Sequence, residues 1–246
     1  MKLLVCINKT PDTTARISFT SDGTKFDPSG VQFIMNPYDE WYALVRAVEL
    51  KEQLGGTVTA VHVGSADSDT IIRKALAIGA DDAIRINKVP TDTFDIAHQI
   101  SAIARDQEYD MILLGKESID YNSAEVGPML AELLDLPFVG FANKVESNGQ
   151  QAIVSRDIEG GVETAIIPLP VVVSAAKGTA EQRIPNMRGI MMAKSKPLKV
   201  VEPLEVEQTV LPVQFELPSG RTTCRMIDPD NMEELVELLH TEAKVI

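Results

Sequence analysis

Four apolar runs in the first half of the chain alternate with segments of helical periodicity, and this alternation restricts the possible folds more than any other feature. The apolar runs cover residues 2–8, 57–64, 82–87 and 109–115. The helical segments between them cover residues 38–56, 68–81 and 92–107. Strands buried on both faces and separated by helices form βαβ units. We therefore predict an α/β fold, a mostly parallel sheet with helices on both faces.

The pattern changes after Pro137, where short strands surround turn-forming residues. The triplets "SNG" at 147–149 and "EGG" at 159–161 are hairpin signals. We expect an antiparallel meander, ending with the apolar run at 171–176, to finish the sheet. The segment that follows, 177–199, shows no clear strand alternation and is interpreted as a loop.

The last part of the chain is predicted to lie outside this sheet. Several prolines between 203 and 218 indicate an extended arm, and the final helix is expected to begin with Asp228 as its N-cap and Pro229 in its first position. We therefore divide the chain into an α/β domain at 1–200, which includes the 177–199 loop, and a C-terminal arm and helix at 201–246.

The charge balance excludes several classes of partner. Acidic residues outnumber basic ones, 36 to 23, for a net charge of −13, which repels nucleic-acid backbones and anionic lipid. The first residues, "MKLLVCINKTPD", become polar too soon for a signal peptide, and no apolar run is long enough to span a membrane. Cys6 and Cys224 have no CxxC spacing, so we predict neither a disulfide framework nor a metal site. We expect a cytoplasmic location.

Residues 113–137 run from a strand into an amphipathic helix through a polar stretch at 115–123. This stretch has two interpretations: a solvated loop, with Asn122 capping the helix and Glu125 three residues later, or a pocket for an anion. Ligands of open α/β sheets lie beyond the carboxyl ends of the strands, where the strand order reverses. Other such ends lie at 6–8 and 63–65, so we favour a pocket, although neither a P-loop nor a GxGxxG motif is present.

The sequence offers little support for catalysis. His62, His98 and His240 fall within strand or helix patterns, and no GxSxG or HExxH motif occurs. Asp39 and Glu40 are interpreted as acids that complement a helix dipole. The methionines of the 177–199 segment suit either the core or an adaptable contact surface, and their spacing alone favours neither.

Six stretches of this chain resemble the beta subunit of electron transfer flavoproteins, from the N-terminus to about Lys199. They are "VCINKTPD", "MNPYDEWYALVRAVELKE", "ALAIGADDAIRI", "LLGKESIDYNSAEVGPMLAELLDLP", "SRDIEGGVET" and "LPVVVSAAKGTAEQRIPNMRGIMMAKSK". The resemblance implies an adenine-nucleotide α-hydrolase-like fold. It also implies an electron carrier subunit that is not an enzyme by itself and works in a heterodimer with an alpha subunit.

The resemblance implies two cofactors, AMP bound structurally by this chain and FAD held mostly by the alpha subunit. At the FAD edge it implies Thr13 and Tyr38, with Thr13 replacing a frequent aromatic of the family. The implied AMP contacts are Cys6, Asn36, Pro37, Tyr38, Asp39, Val63, Gly115, Lys116, Glu117, Ser118, Ile119, Asp120, Tyr121, Asn122, Ser123, Ala124, Glu125 and Val126.

The resemblance further implies that residues 177–199 dock onto flavin dehydrogenases such as acyl-CoA dehydrogenases. Electrons would then pass to a membrane or soluble acceptor. Met187 stands at the family's leucine anchor, and residues 201–246 are expected to pack on the alpha subunit. The implied docking residues are Arg183, Ile184, Met187, Ile190, Met191 and Lys194.

Two other functions are compatible with the sequence. Within the family, a bifurcating flavoprotein would hold a second FAD where AMP is expected, but "DIEGG" at 157–161 looks more like the AMP-type pattern. In another class, a stress-type or adenylating nucleotide-binding protein could share the fold. Adenylating enzymes of the pyrophosphatase kind carry a glycine-rich serine loop after the first strand, and "INKTPD" lacks one.

Overall fold

A computed structural model describes residues 1–220 and 223–246, which divide into two units. The first unit contains residues 1–17 and 28–213, and the second contains residues 18–27 and 214–246. No helix within these described ranges is both long and apolar enough to cross a membrane.

The first unit is an α/β domain built on a nine-stranded sheet, counted over the described residues. The strand order is β11-β5-β4-β1-β6-β10-β7-β8-β9, and β2 pairs with β3 in a separate antiparallel ribbon. The strands are β1 (Lys2–Cys6), β2 (Lys9–Pro11), β3 (Phe33–Met35), β4 (Thr57–Val63), β5 (Asp82–Ile86), β6 (Met111–Gly115), β7 (Phe138–Ser147), β8 (Gln151–Ile158), β9 (Gly161–Pro168), β10 (Val171–Ala175) and β11 (Leu198–Val201).

Helices cover both faces of the central strands. Alternating residues of β1 show this clearly: Leu3 and Val5 belong to the core cluster beneath α1 and α2, while Leu4 and Cys6 belong to the cluster beneath α3 and α4. The helices of this unit are α1 (Asp39–Leu54), α2 (Asp69–Ile78), α3 (Thr93–Arg105), α4 (Val126–Leu134) and α5 (Met187–Ala193). The predicted fold class is confirmed.

Two strands differ from the predicted meander. The hairpins β7–β8 and β8–β9 are antiparallel as expected, but β10 returns to the interior, where it pairs in parallel with both β6 and β7. Residues 198–201 form β11, an edge strand parallel to β5 that the sequence did not indicate. Short apolar runs do not reveal their sheet neighbours, because partner choice depends on contacts far away in the chain.

Two predicted helix starts are wrong. Helix α4 begins at Val126 and Asn122 does not cap it, because Asn122 has a left-handed backbone, with φ of 53°. Helix α6 (Met232–Leu238), in the second unit, begins one turn after the predicted start. Its N-cap is Asn231, whose side chain accepts a hydrogen bond from the Glu234 N–H. Several capping residues occur close together there, and local pattern does not choose among them.

The second unit is small. The rings of Phe19 and Phe215 stack with their centroids 5.3 Å apart, and the Phe215 N–H donates to the Gly23 carbonyl at 2.7 Å. After α6, Leu239–Ala243 continue as a π-helical turn. The predicted arm at 201–246 thus contributes to both units, with residues 201–213 in the first.

The start of the arm is tied to α3 of the same unit. Gln99 Nε2 donates to the Leu204 carbonyl, and Gln99 Oε1 accepts from the Leu204 N–H, at 2.8 Å each. Asp92 caps α3 with one carboxylate oxygen, and its other oxygen accepts from the backbone N–H groups of Thr209 and Val210 at 2.7 and 3.0 Å. Although burial acts to raise the pKa of Asp92, these backbone hydrogen bonds lower it to about 2.

We expect Asp92→Ser to release the arm without uncapping α3. Serine keeps one capping oxygen but lacks the second oxygen that accepts from Thr209 and Val210. Hydrogen exchange should therefore become faster at the Thr209 and Val210 amides and stay slow at the Asp95 amide, which serves as the internal control. Because the folded-state pKa is depressed, the tether should be complete above about pH 4 and fail as the pH falls toward 2. Unchanged exchange at residues 209 and 210 would contradict the tether.

Candidate functional site

The strand order reverses between β1 and β6. From β1 the chain passes outward to β4 and β5 and then returns to β6 on the other side of β1. All these strands are parallel, so Cys6, Val63 and Gly115 lie at the same edge of the sheet, at the carboxyl ends of their strands. Such a reversal opens a crevice in which α/β proteins bind ligands.

Asn36 joins two segments of this edge. Its side chain has no exposed surface, its Nδ2 donates to the Glu117 carbonyl at 3.0 Å, and its Oδ1 accepts from the Ile119 N–H at 3.2 Å. Its own N–H donates to the Asn8 carbonyl at 2.8 Å. The turn before α1 is therefore bonded both to the end of β1 and to the loop after β6. The Asn36 side chain holds protein backbone, which leaves any ligand contact there to neighbouring groups.

Backbone strain concentrates around the same edge. Tyr38, Asn122 and Ala124 are non-glycine residues with φ of 65°, 53° and 56°. Residues other than glycine adopt such angles at a cost, and they cluster at ligand sites because the surrounding structure holds them there. The β6–α4 loop is further closed by the Asn122 N–H, which donates to the Ser118 carbonyl at 2.9 Å.

Gly115 is required by the packing of α1 on β6. A Cβ at this position would lie 2.7 Å from Glu40 Cγ, 2.9 Å from Glu40 N and 3.2 Å from Asp39 Cβ. The absence of a side chain thus allows the first turn of α1 to approach the sheet.

Two carboxyl groups at the start of α1 have raised pKa values. Burial raises the pKa of Glu40 to about 8, although its Oε2 accepts from the Asn8 N–H at 2.5 Å. Burial also raises the pKa of Asp39 to about 6, against the opposing charge of Lys116. The pKa of the buried Cys6 thiol is raised by burial and then by Glu40. Cys6 is therefore a neutral thiol at neutral pH.

The remaining predicted residues of the β6–α4 loop form its outer surface. The Ser118 hydroxyl donates to Asp120 at 2.5 Å, and Lys116 pairs with Glu117 at 3.1 Å. Asp120, Tyr121, Asn122 and Ser123 are exposed, as are Glu125 and, near the N-terminus, Thr13. The Tyr38 ring is 56% exposed at the N-terminus of α1.

A cleft of about 340 Å³ adjoins this edge on the side of β10. The sequence missed most of its lining, because β10 was not expected beside β6 and because Phe141, with φ of 61°, projects from a bulge in β7. A shallow groove on α6, in the second unit, is bordered by Glu233 and Glu237, which suit an anionic ligand poorly. The cleft beside β10 is lined by Asp39, Lys116, Phe141, Asn143, Asp157, Ala176 and Lys177.

The histidines have structural partners. Nδ1 of the buried His62 lies 2.8 Å from the Ile7 carbonyl, and burial lowers the pKa of His62 to about 4. The His98 ring packs on Phe94 with centroids 4.1 Å apart. His240 Nδ1 lies 2.8 Å from the Ile246 carbonyl within the second unit.

Residues 177–199, the docking segment, are not an irregular loop throughout, since they contain α5. This helix packs against α2 so closely that a Cβ on Gly189 would lie 2.6 Å from the Ala77 carbonyl oxygen. Arg73 Nη1 donates to the Ala193 and Lys196 carbonyls at 2.8 and 2.7 Å. The end of the docking segment is therefore fixed on α2.

Arg183 fixes the N-terminal part of the docking segment on α1. It forms a two-bond ion pair with Glu52 of α1, at 2.7 and 2.9 Å, and its carbonyl accepts from the Trp41 indole N–H at 3.2 Å. Arg183 is therefore engaged within the chain, whereas Arg188 and Lys194 are exposed.

Apolar side chains project from this fixed segment. The exposed fractions are 80% for Ile184, 73% for Met187, 69% for Met191 and 42% for Ile190. These values exclude the alternative that Met187 and Met191 belong to the core of this chain. Several exposed apolar groups beside exposed cations are typical of a surface that contacts another protein.

Together, the mostly parallel sheet, its helices on both faces and the reversal of its strand order define an open α/β domain with a crevice at the reversal point. The electron transfer flavoprotein domain model matches residues 24–206. The chain is 40% identical to "Electron transfer flavoprotein subunit beta" of Bacillus subtilis over the whole of both chains. It is 35% identical to the beta subunit of Syntrophomonas wolfei, covering 90% of this chain and 87% of the relative. The human beta subunit is 33% identical over 97% and 96% of the two chains.

This chain therefore belongs to the electron transfer flavoprotein family, among its beta subunits.

Proposed function

We propose that this chain binds AMP at the reversal point of its sheet and supports the FAD of an alpha subunit in an electron-carrying heterodimer. The observation that carries the nucleotide proposal is the buried Asn36, which ties the β6–α4 loop to the turn before α1 beside the ends of β1 and β4. The resulting edge contains polar loop groups, a strained backbone and two helix N-termini, and these features suit a phosphate-bearing ligand.

The residues around this edge can supply hydrogen-bond donors to AMP. Lys116 and the Ser123 hydroxyl supply donors, together with those backbone N–H groups of 116–125 that do not already donate to Ala175, Asn36, Asp120 or Ser118. Cys6 stays neutral because burial raises its pKa, so it adds no negative charge near a phosphate. In this arrangement AMP is a structural ligand, held by the ends of the strands.

Tyr38 is the main contact proposed for FAD. Its ring is 56% exposed where the nucleotide edge begins, and an exposed aromatic face can pack on a flavin ring. Thr13, also exposed, would contribute a small polar group. Bound FAD supplies the redox chemistry, while this chain contributes one wall of its site and the alpha subunit contributes the rest.

The alpha subunit is also the partner proposed for residues 201–246. Exposed apolar side chains are frequent there, including Val213 at 82%, Met226 at 85% and Leu211 at 73%. A soluble chain does not usually leave so many apolar groups uncovered in one short region. Burial against the alpha subunit would remove them from water and keep both chains together.

The docking segment is proposed to contact flavin dehydrogenases, such as acyl-CoA dehydrogenases, from which electrons pass on to a membrane or soluble acceptor. Met187, Ile190 and Met191 stand on α5, which is fixed to α2. The exposed Arg188 and Lys194 suit an acidic partner surface. Preorganisation of this kind reduces the ordering cost of binding.

We expect the purified heterodimer to release one AMP and one FAD, because the β1–β6 edge accommodates a single nucleotide. The measurement is mass-spectrometric identification and quantification of nucleotides released from the co-expressed subunits. As a control, this chain alone should be colourless, since it forms only part of the flavin site. Two FAD per heterodimer without AMP would instead support the bifurcating type. A lone chain that binds adenine nucleotide and no alpha subunit would support the stress-type or adenylating class.

A further inference from the structure

Glu40 lies at the ends of both β1 and β6 in the proposed nucleotide site. Its Oε2 accepts from the Asn8 N–H, just after β1, and its main chain lies against Gly115, the last residue of β6. Asn36, four residues earlier, holds Glu117 and Ile119. Asn36 and Glu40 thus connect the end of β1, the end of β6 and the β6–α4 loop to residues 36–40.

The surroundings of Glu40 favour an uncharged carboxyl group. Only 7% of the residue is exposed, and no lysine or arginine in the part of the chain that the structure describes forms an ion pair with it. A buried carboxylate without a cation is costly, and the neutral acid avoids that cost. Burial accordingly raises the pKa of Glu40 to about 8. The neighbouring Asp120 and Asp39 raise it further, whereas Asn8 and Asn36 act in the opposite direction.

We propose that Asn36 and Glu40 are positioning residues of the nucleotide site, and that Glu40 performs this role as a neutral hydrogen-bonded carboxyl group. Neither side chain has to touch the ligand. Asn36 sets the path of the β6–α4 loop, and Glu40 keeps the end of β1 against the start of α1. A neutral Glu40 also leaves an anionic ligand without a buried negative charge beneath it. This inference rests on the proposed nucleotide site and identifies what holds that site in shape.

The test compares Glu40→Gln with Glu40→Ala in the co-expressed heterodimer. Glutamine copies the neutral acid and can accept from the Asn8 N–H, whereas alanine leaves that N–H without its partner. After nucleotide removal, AMP affinity is measured by calorimetry. We expect Glu40→Gln to bind within about twofold of the unsubstituted protein and Glu40→Ala to bind at least about tenfold more weakly. Glu132→Ala, on the exposed side of α4, is the control and should bind normally.

The pH profile separates positioning from general structural damage. Above about pH 8, ionisation of Glu40 should weaken AMP binding to the unsubstituted protein but not to Glu40→Gln. The other charged or titratable groups near Glu40 are Asp39, Asp120, Lys116 and Cys6, and both proteins contain them. A loss of AMP binding near pH 8 that only the unsubstituted protein shows is therefore assigned to Glu40.

Three outcomes would overturn the positioning role. These are AMP binding to Glu40→Ala with unchanged affinity, equal loss of binding in both variants, or identical pH profiles for Glu40→Gln and the unsubstituted protein. If the unsubstituted heterodimer binds no AMP at all, the proposed function fails separately. Hydrogen exchange at the Asn8 and Asn36 amides, which join the end of β1 to the turn before α1, then decides. Positioning predicts faster exchange there in Glu40→Ala than in Glu40→Gln without any nucleotide, and equal exchange would refute it.

Discussion

Replacement of Gly115 by alanine is expected to lower the free energy of unfolding by about 1–3 kcal/mol, as overpacking does in other well-packed interiors. The new Cβ would lie 2.9 Å from Glu40 N, a backbone atom, so rotating a side chain cannot remove the contact. The first turn of α1 must move instead. That movement would also disturb the Glu40–Asn8 hydrogen bond, and we expect reduced AMP content in the same variant.

The measurement for Gly115→Ala is thermal unfolding of the heterodimer. The melting temperature should fall by roughly 2–4 °C for each kcal/mol of lost stability in a chain of this size. Gly161→Ala is a matched control, because a Cβ at Gly161 meets nothing within 4 Å and no left-handed φ is recorded there. Its effect should stay within about 0.5 kcal/mol. Equal melting temperatures for the two variants would show that α1 tolerates a side chain at position 115.

Substitution of Met187 by alanine is expected to slow electron transfer from a partner dehydrogenase by roughly 30-fold under conditions where docking limits the rate. Burial of a methionine side chain contributes about 2 kcal/mol, which corresponds to that factor. Met187 is 73% exposed at the first position of α5. Its removal should therefore leave the fold, the FAD content and the heterodimer unchanged.

The control for Met187→Ala is Ile166→Ala, a truncation of an apolar side chain that is 64% exposed on β9, outside the docking segment and the C-terminal arm. Transfer is measured by stopped-flow flavin reduction and expressed per intact heterodimer. The Ile166 variant should transfer electrons at the normal rate. If Met187→Ala instead loosens the heterodimer or sheds FAD, with transfer per intact complex unchanged, Met187 packs on the alpha subunit and the docking proposal is wrong.

The parts of the fold that the sequence predicted well are those in which local periodicity and burial coincide. The apolar runs at β1, β4, β5 and β6 and the amphipathic α1, α2 and α3 each lie within a few residues of their predicted bounds. A parallel strand buried on both faces has to be apolar throughout, so its sequence identifies it without knowledge of its neighbours. The hairpins at 147–149 and 159–161 follow in the same way from turn residues.

The predictions failed where the answer depends on contacts distant in sequence. β10 was placed at the end of a meander, although it pairs in parallel with β6 and β7. β11 exists because its backbone completes the hydrogen bonding of β5. α5 has only seven residues, and short helices are stabilised mainly by tertiary packing, here against α2.

The sequence by itself determined the α/β class and the family of this chain, because both are recorded in local patterns and motifs. It also identified the segments that meet at the carboxyl edge of the sheet. Only the tertiary structure decided what individual residues do there. Asn36 binds backbone, Gly115 admits a helix, and Arg183 holds the base of the docking segment through Glu52. These roles arise from partners that lie 75 to 131 positions away in the chain, and sequence spacing carries no record of such distances.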